Sequence, residues 1–382
     1  MLPFSYAIRN LLRSKTRLMQ TIGGSALVVL LVMSAVAINQ GMNRVLSASG
    51  SERNVILLGA GSEESTQRSE VKETTATIAS SSIPGITEQL GVRAVSGEIH
   101  YMTYLGFPDD SRAQALIRGV TPAILHVHPE VRIVEGSFPR SGEVMAGVLA
   151  WRNLGVEQDQ LKVGSTVRID NQEMTVSGLF SAPGTVMESE VWATVGDIRV
   201  LAQRETLSCV VVRLDDPADF SEADLFAKQR LDLELSALRE SDYYGRLSDF
   251  FGPLRAMIWV TVSLIAAGAV FGGINTLYAA FASRVREMAT LQAIGFGRTT
   301  LAFSLIQEST LACLSGSLVA SIIAMIAMDG LQVPFSIGTF SLEVTGNVAL
   351  TGILTGLLLG IVGAIPPAIR CLKPSLPVAL RS

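Results

Sequence analysis

The hydrophobic pattern is dominated by four long apolar runs, at residues 18–43, 256–283, 299–328 and 344–369, with Glu308 the sole charge in any of them. Each exceeds the roughly 20 residues a helix needs to cross a bilayer core. Runs this continuous are helical, because a helix satisfies its own backbone where no water can. The stretch between the first two runs follows other rules. Residues 55–58, 99–104, 115–120 and 210–214 carry the β-branched and aromatic content of strands. Residues 166–169 and 174–180 flank Asp170-Asn171-Gln172, a hairpin signal. Residues 147–154 and the charged run 221–244 read as helices, the second forming a stalk that leads through Phe250-Phe251-Gly252-Pro253 into the second span. Residues 59–82, rich in Ser, Thr, Glu and Gly, read as a mobile surface loop. The fold class expected is a membrane α-helical protein of four transmembrane helices, with a large α+β extracytoplasmic domain between helices one and two.

Charge sets the expected orientation. Arg9, Arg13, Lys15 and Arg17 precede the first run, Arg284, Arg286 and Arg298 lie between the second and third, and Arg370, Lys373 and Arg381 follow the fourth. The connection 329–343 has no Lys or Arg. Basic residues in short loops stay cytoplasmic. Both termini and the segment 284–298 are therefore expected inside, and 44–252 and 329–343 outside. The net charge of −4 gives no reason to expect nucleic acid as a partner. Cys209, Cys313 and Cys371 are too dispersed along this layout to pair.

Candidate chemistry is sparse. After the second run, Val285, Met288, Leu291 and Ile294 recur at helical spacing, with Arg284, Arg286 and Glu287 toward the other side. Gly295 and Gly297 then break the helix. Such a segment either rests on lipid headgroups or is gripped by a soluble partner. A carboxylate inside a span costs about 2.5–3.5 kcal/mol at the bilayer centre. Glu308 is therefore expected, with Gln307 and Asn275, to hydrogen-bond a neighbouring span or a dimer mate. Pro253 lacks a backbone donor, so a bend or a helix restart is expected at the Gly252-Pro253 joint. His126 and His128, with Glu130 near, are two ligands without a convincing third, so no metal is expected.

The segment Arg284-Val-Arg286-Glu287-Met-Ala-Thr-Leu291-Gln-Ala293-Ile-Gly295 resembles the signature of FtsX-like, MacB-type ABC transporter permeases, the type VII ABC superfamily. Ala7-Ile-Arg-Asn10-Leu-Leu-Arg13-Ser-Lys15 is similar to that family's amphipathic opening, and Gly363-Ala-Ile-Pro366-Pro-Ala-Ile-Arg370 with Pro377-Val-Ala-Leu-Arg381 to its close. Ile133-Val-Glu-Gly136-Ser-Phe-Pro139, Leu161-Lys-Val-Gly164 and Met174-Thr-Val-Ser-Gly178 resemble its periplasmic domain. All occur in order, over nearly the whole chain.

The resemblance implies a layout. Residues 1–17 would be a cytoplasmic amphipathic segment and 18–43, 253–283, 299–328 and 344–369 the spans. Residues 44–252 would form the periplasmic domain, with a porter-like part at about 44–120 and 208–240, an inserted part at about 121–207, and a stalk to 252. Residues 284–298 would form a cytoplasmic coupling helix, 329–343 a short outer loop and 370–382 a cytoplasmic tail. The chain would sit in a bacterial inner membrane as the permease subunit of an ATP-driven transporter, relaying ATP-driven movement to the periplasmic domain for efflux or extraction. The alternative is an FtsX-like signalling lever that activates an extracytoplasmic partner such as a cell-wall hydrolase. No Gly-x-x-x-x-Gly-Lys-Ser/Thr phosphate loop occurs in the sequence. The chain is thus expected not to be an enzyme and to hold no cofactor, with ATP and Mg on two copies of a separate ATP-binding subunit. A second permease copy or paralogue, and a periplasmic adaptor, are further partners the family implies. Arg284, Arg286, Glu287, Leu291, Ala293 and Gly295 are the expected ATPase-coupling residues.

Overall fold

The computed structural model describes residues 4–13 and 15–373; the segment 377–381 and Ser382 lie outside the described residues. In chain order the elements are α1 (Phe4–Arg13), α2 (Lys15–Ser49), β1 (Asn54–Gly59), α3 (Thr74–Ser82), β2 (Glu88–Gln89), β3 (Val92–Arg93), β4 (Val95–Gly106), β5 (Arg112–Val120) and α4 (Ile124–Val127). There follow β6 (Arg132–Gly136), β7 (Glu143–Gly147), α5 (Ala150–Leu154), β8 (Thr166–Ile169), β9 (Gln172–Ser181), β10 (Val191–Thr194), α6 (Val195–Leu201), β11 (Cys209–Arg213), α7 (Phe220–Gln229), β12 (Leu235–Arg239) and α8 (Glu240–Phe250). The chain closes with α9 (Gly252–Ala282), α10 (Val285–Ala293), α11 (Arg298–Ala327), β13 (Gln332–Phe335), β14 (Gly338–Ser341) and α12 (Gly346–Cys371).

Two compact units result. The first holds residues 1–40, 253–331 and 342–382, of which the described part is all-helical. Among the described residues, four helices are long and apolar enough to cross a membrane: α2 from Leu18, α9, α11 and α12. Helix α12 carries Gly352, Gly356 and Gly360 one turn apart, and this stripe is its packing face. A Cβ at Gly356 would lie 1.8 Å from the Ser317 hydroxyl, and one at Gly360 would lie 2.5 Å from the Thr310 Cα. Without a hydrophobic drive inside lipid, helices associate by such close backbone approach. Helix α9 is the opposite case. Only 6% of its most apolar window is buried, against 50% for α2. Gly268, Gly272 and Gly273 of α9 have nothing within 4 Å of where a Cβ would stand.

The second unit holds residues 41–252 and 332–341. Its main sheet runs β12-β1-β11-β4-β5-β10-β7-β9-β6, with β8 pairing both β4 and β9. Strand β4 is long enough to serve two partners in succession. Its first residues pair with β11, and Ile99 to Gly106 pair with β5. One core packs Val55, Leu57, Ile99, Ile117, Val144 and Val210 beneath α3, α6 and α7. A second core centres on Trp192 stacked on Phe180, with ring centroids 4.1 Å apart. The hairpin β13–β14 belongs to this unit, where Phe335 meets Phe251 and Phe340 edge-on.

Three expectations for this region need correction. The run 221–244 is not one helix, because β12 interrupts it. Leu231, Leu233, Leu235 and Ala237 alternate with polar residues, a period of two that the high charge of the run obscures. The stalk helix is therefore α8 alone. Residues 59–82 are a surface loop only in part, over the turns of residues 60–68. Ser69 and Val71 are fully buried, Val71 bridges to Leu207, and the stretch ends in α3. Its hydroxyls serve as internal partners, as where Gly59 N donates to Ser69 Oγ at 2.9 Å. The expected helix 147–154 begins later, since Gly147 closes β7 and α5 starts at Ala150. At the joint, α8 ends at Phe250 and a new helix starts at Gly252, with Pro253 in its first turn where no backbone donor is missed.

Candidate functional site

The first unit gathers its charge at one corner, where α9 hands over to α10 and α11 begins. Helix α9 ends at Ala282, and Ser283 caps it by donating to the Ala280 carbonyl at 2.8 Å. Arg284 follows as the residue before α10. Its Nη1 donates to both carboxylate oxygens of Glu308, at 2.9 and 3.2 Å, and its Nε to Glu287 at 3.3 Å. Asn10 of α1 also donates from Nδ2 to Glu308, and Arg13 pairs with Glu287 at 3.2 Å. Glu308 is buried, three turns into α11. Within this chain the partners of Glu308 are the arginine at the α9–α10 junction and Asn10 of the amphipathic opening helix. An Arg–carboxylate pair with two contacts is the strong form of this interaction. It explains how an acid can be buried in α11.

Helix α10 ends in a Schellman arrangement. Gly295, at φ +109°, donates to the Gln292 carbonyl at 3.0 Å, while Phe296 N reaches Leu291 O at 3.1 Å. Phe296 and Leu291 pack on a buried cluster with Phe281, Met288, Leu301 and Leu305. This leaves Arg286, Glu287, Thr290, Ala293, Ile294 and Gly295 exposed.

The structure divides the residues expected at this site into three groups. Arg286, Glu287, Ala293 and Gly295 lie on one exposed face. Arg284 does not join them. It is 7% exposed and turned to Glu308, because its place before the first turn of α10 aims it at α11. Leu291 is half-buried in the cluster, whereas Ile294, expected on the apolar face, is 70% exposed because the helix ends before it. Among the intramembrane polar residues, Asn275 is exposed in a groove with Tyr278 and Arg370, apart from Glu308, and Gln307 is half-buried. Asn10 and Arg13 belong to the corner, though the sequence marked them only for charge and family resemblance and not as partners of Glu308 and Glu287. Their signal was the helical alternation of Arg9, Asn10 and Arg13 with apolar residues.

A second charged centre lies inside the second unit, and the sheet register assembles it. Cys209 of β11 stands opposite Glu98 of β4, His100 opposite Arg118 of β5, and Arg118 opposite Trp192 of β10. Arg118 donates from Nε and Nη2 to the two oxygens of Glu190, at 2.8 and 2.6 Å, and from Nη1 to Glu98 at 3.0 Å. Trp192 Nε1 donates to Glu190 at 2.8 Å, and His100 sits between Glu98 at 3.3 Å and the Thr66 hydroxyl at 2.7 Å. Burial pushes the Glu98 carboxyl up, but Arg118 and His100 outweigh it and hold it at about 2. Burial, aided by Arg118, lowers His100, and burial raises the Cys209 thiol.

Beside this centre, Glu240, the first residue of α8, accepts from Ser51 N at 3.1 Å and Asn54 Nδ2 at 2.9 Å, with His128 Nε2 at 3.7 Å. Burial opposes a charge on His128, yet Glu240 and Glu130 outweigh it and raise its pKa.

Metal chemistry finds little purchase here. His126 turns to Gln89 at 3.3 Å while His128 is buried against Glu130 at 3.1 Å, so the pair does not converge. Among the described residues, Glu98, His100 and Cys209 do converge, but Arg118 already supplies the cation that Glu98 needs and the thiol is held protonated.

The sequence carries matches that agree with this division. Residues 19–224 match the MacB-like periplasmic core domain, and residues 259–376 match the FtsX-like permease C-terminal domain. The periplasmic region of MacB from Actinobacillus actinomycetemcomitans is similar at 14% identity and a TM-score of 0.40, covering 53% of this chain and 94% of that one. The extracellular domain of the noncanonic ABC-type transporter YknZ from Gram-positive bacteria is similar at 12% identity and a TM-score of 0.37, covering 49% of this chain and all of that one. No curated protein matches the chain.

Proposed function

Because the chain belongs to the family of FtsX-like, MacB-type ABC transporter permeases, we propose that it is the permease subunit of an ATP-driven efflux or extraction system, worked from the α10 corner. Permeases of this kind are not enzymes themselves; the family partners with an ATPase, which for this chain would be a separate subunit. Two ATP-binding subunits, holding ATP and Mg, would grip the exposed face of α10. The permease would act as a dimer with a second copy or a paralogue. Both termini and α10 would face the cytoplasm, with the 44–252 domain outside. The lack of Lys and Arg in 329–343, against ten at the other short segments named above, supports this orientation. A MacB-like core as large as residues 19–224 favours transport over a signalling lever. The substrate would then be taken from the periplasm or the outer leaflet.

The observation that carries the reading is the bond between Arg284 and Glu308. A push on the outward face of α10 meets a helix tied by a buried ion pair to α11 and continuous in sequence with α9. The pair would hold α10 at a fixed angle, so that the push moves spans and is not lost in a hinge. Glu287→Lys combined with Ile294→Asp alters only exposed positions. It is expected to lower ATPase co-purification at least tenfold while membrane insertion stays normal. Undiminished co-purification would remove α10 as the docking site.

A further inference from the structure

Outside the corner, the first unit holds a half-open cavity of about 440 Å³ lined by all four of its long helices. Glycines open it. Gly24 of α2 and Gly272 and Gly273 of α9 have nothing within 4 Å of where a Cβ would stand, and Gly363 of α12 meets only the end of Leu277, at 4.0 Å. Val28, Val270, Leu277 and Leu359 supply apolar walls. The size and lining are those of a small-molecule site, about 300–1,000 Å³ with few polar groups.

The polar groups decide what kind of molecule fits. Two of the lining hydroxyls are satisfied by their own helices: Ser25 donates to the Thr21 carbonyl at 2.7 Å, and Thr276 to the Gly272 carbonyl at 3.0 Å. Each therefore asks little of an occupant. Ser309 differs. It is 3% exposed and lines the cavity, and among the described residues its hydroxyl finds no oxygen or nitrogen partner, only the weakly bonding Cys313 thiol. A buried hydroxyl left unmet costs about 1–3 kcal/mol, so an occupant with one acceptor near Ser309 is favoured. A cluster of waters is a poor fit, since each water needs two to four polar partners. A long alkyl chain ending in a carboxyl or ester meets both requirements.

The position names the source. The lining residues Gln20 and Thr21 lie at the start of the α2 apolar run, Thr276 and Leu277 near the end of α9, and Ser309 and Cys313 in the first half of α11. All fall in the half of the bundle nearest α10. We infer that this cavity is a binding site for one alkyl chain with an oxygen acceptor at its end, drawn from the leaflet on the α10 side. That leaflet is the inner one on the orientation proposed above, on which only this last identification rests. The site is distinct from any substrate taken up by the outer domain, and it touches α9, the helix with the least packing of the four.

The test uses the full chain in nanodiscs of phosphatidylethanolamine and phosphatidylglycerol, with palmitic acid bearing a mid-chain diazirine as the probe. Irradiation and peptide mass spectrometry should place adducts within residues 269–277 or 309–313. The double variant Gly24→Leu/Gly272→Leu fills the cavity at two positions where no atom obstructs, so it should fold. It should lower those adducts at least fivefold while adducts on residues 254–264, exposed on α9, stay unchanged. Ser309→Ala should lower the cavity adducts severalfold without moving thermal unfolding. Suppression by excess unlabelled palmitate identifies a free fatty acid; resistance to it, with labelling by a phospholipid carrying the same diazirine chain, identifies a lipid acyl group. Equal cavity labelling in wild type and the filled variant overturns the inference. So does an absence of cavity adducts in wild type, including the case where the filled variant also changes oligomeric state, which would assign the cavity to a second copy. Because labelling needs neither ATPase nor transport, its failure leaves the transport reading standing, and a failure of transport leaves the labelling readable.

Discussion

Arg118 and Arg284, both buried, have the same chemistry and different neighbourhoods. Arg118 is enclosed within a single sheet, held by Glu98 of β4 and by Glu190, the residue before β10, with Trp192 completing the set. Glu98, Arg118 and Trp192 are fixed by strand register, Glu190 by its place next to β10, and all four are buried. Arg284 binds Glu308 just as closely, but its other acceptor, Glu287, is exposed and already shared with Arg13 of α1. The first arrangement can only hold a fold together. The second connects a buried acid to a surface that another protein can touch. Burial of an ion pair is thus no sign of function by itself; a chain of contacts running from the pair to an exposed element is.

The comparison predicts its largest effect at Arg118. Arg118→Met strands two buried carboxylates, and removing one partner of a buried pair costs about 3–5 kcal/mol. The outer domain should unfold at far lower temperature, followed by near-ultraviolet dichroism from the Trp192–Phe180 stack. Replacing all three charges together, Arg118→Met with Glu98→Leu and Glu190→Leu, should recover much of the loss, because well-packed apolar side chains can replace a buried ionic set. Loss undiminished in the triple variant would mean that the charges specify the fold as well as stabilise it.

Acid should discriminate the two centres next. Glu98 is ordinarily near 4.5 and is held at about 2 in the fold. A depressed carboxylate contributes stability above its unfolded value and loses it as pH falls through the folded one. The outer domain should therefore lose on the order of 3 kcal/mol between about pH 4.5 and 2. His128 runs the other way: its raised value contributes stability present below about 6.5 and lost as pH rises through its folded pKa. Glu98→Gln should flatten the acid limb of a Tm-against-pH curve and leave the alkaline limb unchanged. An acid limb of unaltered slope would remove Glu98 as its source.

Much of this molecule was legible because its largest signals are local. Four apolar runs need no tertiary information, and the Asp170-Asn171 turn or the Gly295 helix stop follow from a few residues each. Alternation in β12 was present in Leu231, Leu233 and Leu235 but was hidden under a high local charge that favours reading a helix. The ionic centre was harder to see. Glu98 and His100 lie two apart on a strand and Arg118 lies between Ile117 and Gly119, so the hint was charge inside apolar strands. Only the register of β4, β5 and β10 reveals that they meet. Likewise, no spacing rule joins Arg284 to Glu308, 24 residues apart across a helix break, or Asn10 to Glu308, 298 apart. The alkyl cavity was unreadable for a further reason: the glycines of α9 and those of α12 look alike in sequence, and only packing distinguishes the stripe that is filled from the one that is open.

The smallest expected effect is the most informative about mechanism. Glu308→Gln keeps an oxygen acceptor for Arg284 and Asn10 and removes the charge. A hydrogen bond to a charged group is worth about 1.5–3 kcal/mol and a neutral one about 1. The net loss should be about 1–2 kcal/mol, well below that at Arg118, and thermal unfolding should shift by only a few degrees. The same change loosens the one strong restraint on the angle between α10 and α11. If the restraint transmits the stroke, the variant should retain ATPase binding and hydrolysis, and lose most of its transport. Glu308→Asp, which keeps the charge but shortens the reach, should lose transport as well. If Glu308 were merely a packing residue, transport would instead fall in proportion to stability, and the milder Glu308→Gln would transport nearly as well as the parent. Measuring hydrolysis and transport on the same preparation separates these outcomes, because only a broken linkage lowers one and spares the other.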